Sequence, residues 1–83
     1  MKYICPVCGY TGLREEPYNK YGYGSDEICV CCGFQFGLDD FPAKEKAFIK
    51  WRKNWEENGY KWFSDRTKAP SNWNPLEQIK SLQ

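Results

Sequence analysis

The stretch Ile4-Cys5-Pro6-Val7-Cys8-Gly9-Tyr10 recurs later in the chain, in the same pattern, as Ile28-Cys29-Val30-Cys31-Cys32-Gly33-Phe34. In both stretches an apolar residue precedes a cysteine, two residues separate this cysteine from the next, and a glycine and an aromatic residue follow. Glycine at this place can adopt a positive φ, which lets backbone N–H groups turn toward the sulfurs. Each stretch therefore predicts a tight turn between two short strands. We call residues 4–10 the first cysteine turn and residues 28–34 the second cysteine turn.

The residues around the two cysteine turns favour extended backbone. Short strands are expected at Lys2–Cys5, Tyr10–Leu13, Glu27–Cys29 and Phe34–Phe36. Residues 14–26, which join the turns, contain a proline and two glycines and are expected to form a surface loop. Residues 1–40 are therefore predicted to form a small β-hairpin module.

Four of the five cysteines have the spacing of a metal site. Two residues separate the members of each pair, and twenty residues separate the two pairs. Two intervening residues let one turn direct both sulfurs at a single tetrahedral ion, and the second turn supplies the opposite side. The pattern predicts one ion bound by Cys5, Cys8, Cys29 and Cys32, with zinc as the expected metal.

The residue types favour a structural site over a catalytic one. The chain contains no histidine, whereas catalytic zinc sites usually combine three protein ligands, often histidines, with an open position for water. Four thiolates complete the tetrahedron and leave no open position. We therefore expect no enzyme activity, and expect zinc binding to contribute on the order of 10 kcal/mol to folding.

Cys31 is expected to be the cysteine that does not bind the ion. It occupies the position that Val7 holds in the first cysteine turn, between the two ligands of its own turn. Such a thiol is either a reactive or redox-sensing group beside the metal or a small, semi-buried residue of little chemical consequence. We favour the second interpretation.

Iron is the alternative metal, because four thiolates in paired turns also suit a single iron for electron transfer. The opening, Lys2-Tyr3-Ile4-Cys5-Pro6-Val7-Cys8-Gly9-Tyr10, resembles the first turn of a rubredoxin, and Cys29-Val30-Cys31-Cys32-Gly33 resembles the second. The connecting loop is short for that family. The family's Gly-Asp-Pro stretch and the tryptophan before its second turn are missing, and the helical second half is foreign to it. An iron electron carrier remains the second functional hypothesis.

Residues 41–83 have the periodicity of a helix. A helix is predicted at about residues 41–58, capped by Asp39 or Asp40, with Pro42 in its first turn and Asn58-Gly59 at its end. One stripe of this helix is apolar and is expected to face the core: Ala47, Phe48, Trp51 and Trp55.

The opposite face of this helix is basic. Its best positive patch is expected from Lys46, Lys50, Arg52 and Lys53. Such a patch can bind an acidic protein surface or nucleic acid. An accessory role in nucleic-acid binding is the third functional hypothesis.

A short last helix is predicted to begin at Asn74-Pro75, with Leu76, Ile79 and Leu82 facing inward. The predicted fold is therefore α+β: a small zinc-ribbon-like β-hairpin module with two cysteine turns, packed against a Trp-rich helix and a short last helix. The whole chain, residues 1–83, is expected to be a single domain, with the metal-binding ribbon in residues 1–40 and a helical extension in residues 41–83.

Charge is unevenly distributed along the 83 residues. Residues 1–40 carry three basic and six acidic groups, a net charge of −3, and residues 41–83 carry nine basic and five acidic groups, a net charge of +4. Four thiolates around a divalent ion add a further −2. An acidic metal half argues against nucleic-acid binding through the metal site. We expect a protein partner of unknown identity, and no nucleic acid, membrane or small-molecule substrate.

The cysteines also favour a compartment. The first cysteine follows closely on Met1, without an apolar leader segment, and no apolar run has the length of a membrane span. Reduced, metal-binding cysteines are typical of a reducing environment. The expected location is the cytoplasm.

A resemblance to a known family covers most of the chain. The sequence is similar to the small bacterial cysteine-rich proteins of the CPCC type, which have a zinc-ribbon-like metal site and no known function. The shared features are Cys5-Pro6-Val7-Cys8-Gly9-Tyr10, Glu27-Ile28-Cys29-Val30-Cys31-Cys32-Gly33-Phe34 and Asp39-Asp40. Val7 departs from that family, whose name implies a cysteine there. The resemblance implies the metal ligands and a bacterial setting, but it supports no particular enzyme activity, because none is established for the family.

Overall fold

The computed structural model describes residues 3–41, 43–80 and 82. In these parts of the chain, helix α1 spans Lys44–Glu57 and helix α2 spans Pro75–Lys80. The β component of the same residues consists of three isolated antiparallel bridges, at Tyr3–Leu13, Tyr18–Gly24 and Ile28–Gln35. The predicted pairing of chain segments on either side of each cysteine turn is present, but continuous strands are not formed among the described residues.

Local irregularities explain why these bridges do not extend into strands. Before and after the first cysteine turn, Cys5 pairs with Tyr10 but Tyr3 pairs with Leu13, so one extra residue lies on the returning side. This changes the register within three residues and ends regular pairing. Beside the second turn, Asp26 has a φ of 68°, a left-handed conformation that no regular strand contains.

Helix α1 begins later than predicted, and its predicted cap is wrong. Its N-cap is Ala43, which makes no side-chain hydrogen bond to the first turn. The Asp39 carboxylate instead accepts a hydrogen bond from the backbone amide of Gln35 at 2.9 Å. The Asp40 carboxylate accepts one from the backbone amide of Gly37 at 2.8 Å. Both carboxylates therefore stabilise the loop that leads out of the second cysteine turn. Pro42, predicted in the first turn of the helix, lies outside the described residues.

The predicted end of α1 at Asn58-Gly59 is confirmed. Gly59 has a φ of 89°, and its amide donates to Glu56 O at 3.0 Å. The amide of Tyr60 donates to Trp55 O at 2.9 Å, and the two rings meet edge to face with centroids 5.3 Å apart. These two hydrogen bonds and the accompanying contact form a Schellman motif, the usual way for glycine to end a helix.

The core lies where α1 covers the two cysteine turns. Phe34 is fully buried, and its ring centroid lies 5.4 Å from that of Phe36, 5.5 Å from that of Phe48 and 5.3 Å from that of Trp51. Aromatic rings therefore fill the space between helix and turns. The predicted inward stripe of α1 is confirmed, since Ala47, Phe48 and Trp51 pack on this core and Trp55 belongs to it.

Helix α2 begins at Pro75, where Asn74 Oδ1 accepts the amides of Leu76 and Glu77 at 3.1 and 3.2 Å. Ile79 is buried as predicted, and Leu82 is half-buried. The predicted inward orientation of Leu76 is wrong, because 53% of this residue is exposed. Gln78 of α2 reaches the first cysteine turn, where its Nε2 donates to Cys8 O at 3.0 Å.

Neither helix of the described segments is long and apolar enough to cross a membrane.

Candidate metal centre

The structure brings together the sulfur atoms of the four cysteines predicted as ligands. Cys5 Sγ lies 3.9 Å from Cys32 Sγ, and Cys8 Sγ lies 3.8 Å from Cys29 Sγ. All four sulfurs lie within 4.8 Å of one another. A tetrahedral ion with metal–sulfur bonds of about 2.3 Å requires sulfurs about 3.8 Å apart, whereas a disulfide requires about 2.05 Å. The four sulfur atoms therefore fit one tetrahedral ion, and all five cysteines are free thiols.

The two cysteine turns have the same backbone hydrogen bonds. In the first, Cys5 N donates to Tyr10 O at 2.7 Å and Gly9 N donates to Cys5 O at 2.9 Å. In the second, Cys29 N donates to Phe34 O at 3.0 Å and Gly33 N donates to Cys29 O at 2.8 Å. The glycines have φ values of 87° and 82°, as the repeated pattern predicts. Two equivalent turns that face each other thus produce the cluster.

Carbonyl groups of the first cysteine turn accept hydrogen bonds from the second half of the chain. Arg52 donates twice, from Nε to Val7 O at 2.6 Å and from Nη2 to Pro6 O at 3.0 Å. Gln78 Nε2 of α2 donates to Cys8 O at 3.0 Å. Side chains of both helices therefore hold this turn.

Carbonyl groups of the second cysteine turn are satisfied in the same way by other donors. Trp51 Nε1 donates to the carbonyl of Cys32 at 2.9 Å. The amides of Phe63 and Ser64 donate to Cys31 O at 3.0 Å and to Val30 O at 2.9 Å. The carbonyls of residues 6–8 and 30–32 are thus all hydrogen-bonded to residues beyond position 50.

Arg52 corrects the predicted basic patch. Lys46, Lys50 and Lys53 are exposed on α1, but the guanidinium of Arg52 is committed to the first cysteine turn. Sequence reasoning missed Arg52 and Gln78 as residues of the site. One general signal was available, because buried backbone carbonyls need hydrogen-bond donors and Arg and Gln side chains can supply them.

Three of the four cysteines are fully buried, and the fourth is nearly so. Cys5, Cys8 and Cys29 have no exposed surface, and Cys32 is 6% exposed. The hydrogen bond with Cys29 raises the pKa of the Cys8 thiol, and it likewise raises the pKa of the Cys32 thiol. Hydrogen bonds from Cys32, Cys5 and Cys8 lower the pKa of Cys29. A divalent metal that binds these thiols displaces their protons.

Cys31 lies outside the group of four sulfurs, in the place that the repeat predicts. It is fully buried, so the expectation of a semi-buried residue is corrected. Its sulfur accepts a hydrogen bond from Gln78 Nε2 at 3.3 Å. Gln78 thus contacts both turns, through Cys8 O of the first and the Cys31 thiol of the second.

An ion bound by these four thiolates has a complete coordination shell. Four cysteine ligands close the tetrahedron that zinc prefers in structural sites. The same donor set suits a single iron that exchanges one electron. The site can therefore hold a structural ion or a redox-active one, and the sulfur distances are the same for both.

Two uncharacterized bacterial proteins are similar in sequence to this chain. The chain is 39% identical over 70 residues to the uncharacterized protein YoaQ of Bacillus subtilis, a match that covers 69% of this chain and 59% of the relative. It is 34% identical over 73 residues to the uncharacterized protein YozI of the same organism, covering 71% of this chain and 60% of that relative. The chain thus spans about 60% of the length of these relatives. No family model and no solved structure matches the chain. The predicted resemblance to bacterial proteins of unknown function is confirmed by these two relatives.

Proposed function

We propose that this chain is a non-enzymatic zinc-binding module, in which one ion joins the two cysteine turns in a zinc-ribbon-like arrangement. The observation that carries the proposal is the group of four buried sulfurs at the spacing of a tetrahedral ion. Zinc in a closed four-thiolate site is structural, because no coordination position is left for a substrate or water.

A single-iron electron carrier is the second candidate. Cys32 favours it, because this ligand is 6% exposed and lines a surface groove with Trp51 and Trp55. A ligand that reaches the surface gives an electron a short path to a redox partner. The closed shell of thiolates suits this function as well as the structural one.

Elemental analysis with visible spectroscopy separates the two metals. We expect protein purified from its native host, grown with both metals available, to contain one zinc per chain and to be colourless. Stoichiometric zinc should be released when a thiol reagent modifies the cysteines. A red protein with one iron per chain would contradict zinc and support the electron carrier. Recombinant protein is the weaker sample, because the growth medium can load the wrong metal.

The proposed location is the cytoplasm. Four thiolates bind an ion only while they remain reduced, and all five cysteines are free in the structure. A reducing compartment maintains this state, whereas an oxidising one promotes disulfides.

We further propose that the module acts by binding a protein, through a surface formed by Phe41, Lys46 and Lys50. Phe41 is 75% exposed and lines a groove on α1 together with both lysines and Trp51. Asp39 also lines this groove, but its carboxylate already accepts the amide of Gln35. An exposed aromatic ring beside two cations fits a partner segment that carries apolar and acidic side chains.

A pair of surface variants tests the protein partner. A protein that co-purifies with the metal-loaded chain should be lost on Phe41→Ser and retained on Leu76→Ser, which changes an exposed apolar residue on α2. The identified partner, once purified, should bind with the same preference. Equal capture by both variants would contradict this surface. DNA or RNA binding at low salt that is lost when Lys46 and Lys50 become glutamate would indicate the nucleic-acid role instead.

A further inference from the structure

Arg52 differs from the other residues that hold the cysteine turns. Within residues 3–41, 43–80 and 82, six hydrogen bonds reach the carbonyls of residues 6–8 and 30–32; Arg52 donates two of them and is their one charged donor. Both bonds go to the two residues between Cys5 and Cys8. Hydrogen bonds from charged groups are about twice as strong as neutral ones.

The metal-loaded site is negatively charged, and the positive guanidinium of Arg52 is hydrogen-bonded to the turn that carries two of its ligands. Four thiolates and a divalent ion together carry −2, and residues 1–40 add a formal −3 from their ionisable side chains. Arg52 is only half-buried, but its guanidinium is hydrogen-bonded to the turn instead of pointing into water. Attraction between such a group and a buried anion is screened less than that between exposed charges.

We propose that Arg52 is a positioning residue of the metal centre, with two effects. Its two hydrogen bonds hold the carbonyls of Pro6 and Val7 in place, so that the sulfurs of Cys5 and Cys8 converge on one ion. Its positive charge offsets the negative charge of the loaded thiolate site. This inference rests on the proposed metal binding. In the second turn, the carbonyls of residues 30–32 accept hydrogen bonds from neutral donors in the part of the chain that the structure describes.

Three variants separate the two effects. Arg52→Met removes both the charge and the two bonds, whereas Arg52→Lys keeps the charge but cannot reproduce the planar fork. Lys53→Met is the matched control, because it removes one positive charge from the neighbouring, exposed position of the same helix. The measurements are zinc affinity, by competition with a chelator, and the Fe(III)/Fe(II) potential of each protein reconstituted with iron.

We expect Arg52→Met to weaken zinc binding by about tenfold or more, the size of a lost hydrogen bond to a charged group. Reduced iron in four thiolates carries −2 and oxidised iron −1, so loss of a nearby positive charge favours the oxidised form. A tenfold change in this one-electron equilibrium lowers the potential by about 59 mV. Arg52→Lys should weaken zinc binding without this shift, and Lys53→Met should change affinity by less than about twofold.

The outcomes are distinct. Wild-type affinity and potential in Arg52→Met, or an equal effect of Lys53→Met, would overturn the inference while leaving the metal site in place. Absence of metal binding by the wild-type chain would instead remove the proposed function, and the inference with it. If Arg52→Met does not fold, as judged by near-ultraviolet circular dichroism, Arg52→Lys decides: weaker zinc binding supports the positioning role, and wild-type binding overturns it.

Discussion

Replacement of Cys5 by serine is expected to abolish tight metal binding and to unfold the cysteine turns. The remaining three sulfurs cannot complete the tetrahedron, and a buried hydroxyl is a poor ligand for an ion that the thiolates select. Metal-binding free energy in such small sites is on the order of 10 kcal/mol and is inseparable from folding. Zinc stoichiometry by elemental analysis and near-ultraviolet circular dichroism measure the two effects. Cys32→Ser, in the other turn, should behave in the same way.

Cys31→Ser is the matched control for both variants. Cys31 is equally buried and adjacent to a ligand, but its sulfur lies outside the group of four. Serine is similar in size, and its hydroxyl can accept the hydrogen bond that Gln78 Nε2 donates to the thiol. We expect an unchanged metal content and a preserved spectrum. Loss of metal from Cys31→Ser, with retention in Cys5→Ser, would show that a different set of four cysteines binds the ion.

Replacement of Gly9 by alanine is expected to lower the free energy of unfolding by about 2–5 kcal/mol. The positive φ of 87° at this position costs a residue with a side chain about 1–2 kcal/mol. A Cβ here would also lie 2.6 Å from the carbonyl oxygen of Gln78, which belongs to the backbone of α2 and cannot rotate away. Overpacking of this kind adds about 1–3 kcal/mol. Denaturant unfolding at a fixed, buffered concentration of free zinc measures the loss.

Alanine substitutions at two other glycines separate the backbone contribution to this loss from the contribution of steric overlap. Gly22 has a φ of 84° and no atom within 4 Å of a Cβ, so Gly22→Ala should show the backbone cost alone, about 1–2 kcal/mol. At Gly33 a Cβ would meet the ring of Phe63 at 2.5 Å, but Phe63 is 60% exposed and its ring can move outward. Gly33→Ala should therefore fall between the other two. Equal losses at Gly9 and Gly22 would mean that contact with α2 contributes nothing.

Features that depend on a few neighbouring residues were predictable. The group of four sulfurs and the position of Cys31 follow from the repeated spacing, since two residues between cysteines act within one turn. The end of α1 follows from Asn58-Gly59, because a glycine in the left-handed conformation closes a helix locally. The apolar stripe of α1 follows from its periodicity in the same way.

Predictions that needed knowledge of competing partners were wrong. Asp39 and Asp40 have the residue type of a helix cap. Their carboxylates instead accept hydrogen bonds from backbone amides of the preceding loop. Leu76 has the spacing of an inward residue, but 53% of it is exposed. The β-type segments around the cysteine turns do not continue as strands, because a register change and the left-handed Asp26 interrupt them.

The sequence by itself determined which sulfurs can meet at one ion, because ligand spacing and turn glycines act over seven residues at a time. Only the tertiary structure decided what holds the two turns in place. Their carbonyls are paired with Trp51, Arg52 and Gln78, at separations in the chain of 19, 45 and 70 residues respectively. Local pattern carries no information about such pairs, since any donor that the packing of α1 and α2 brings within reach satisfies a buried carbonyl.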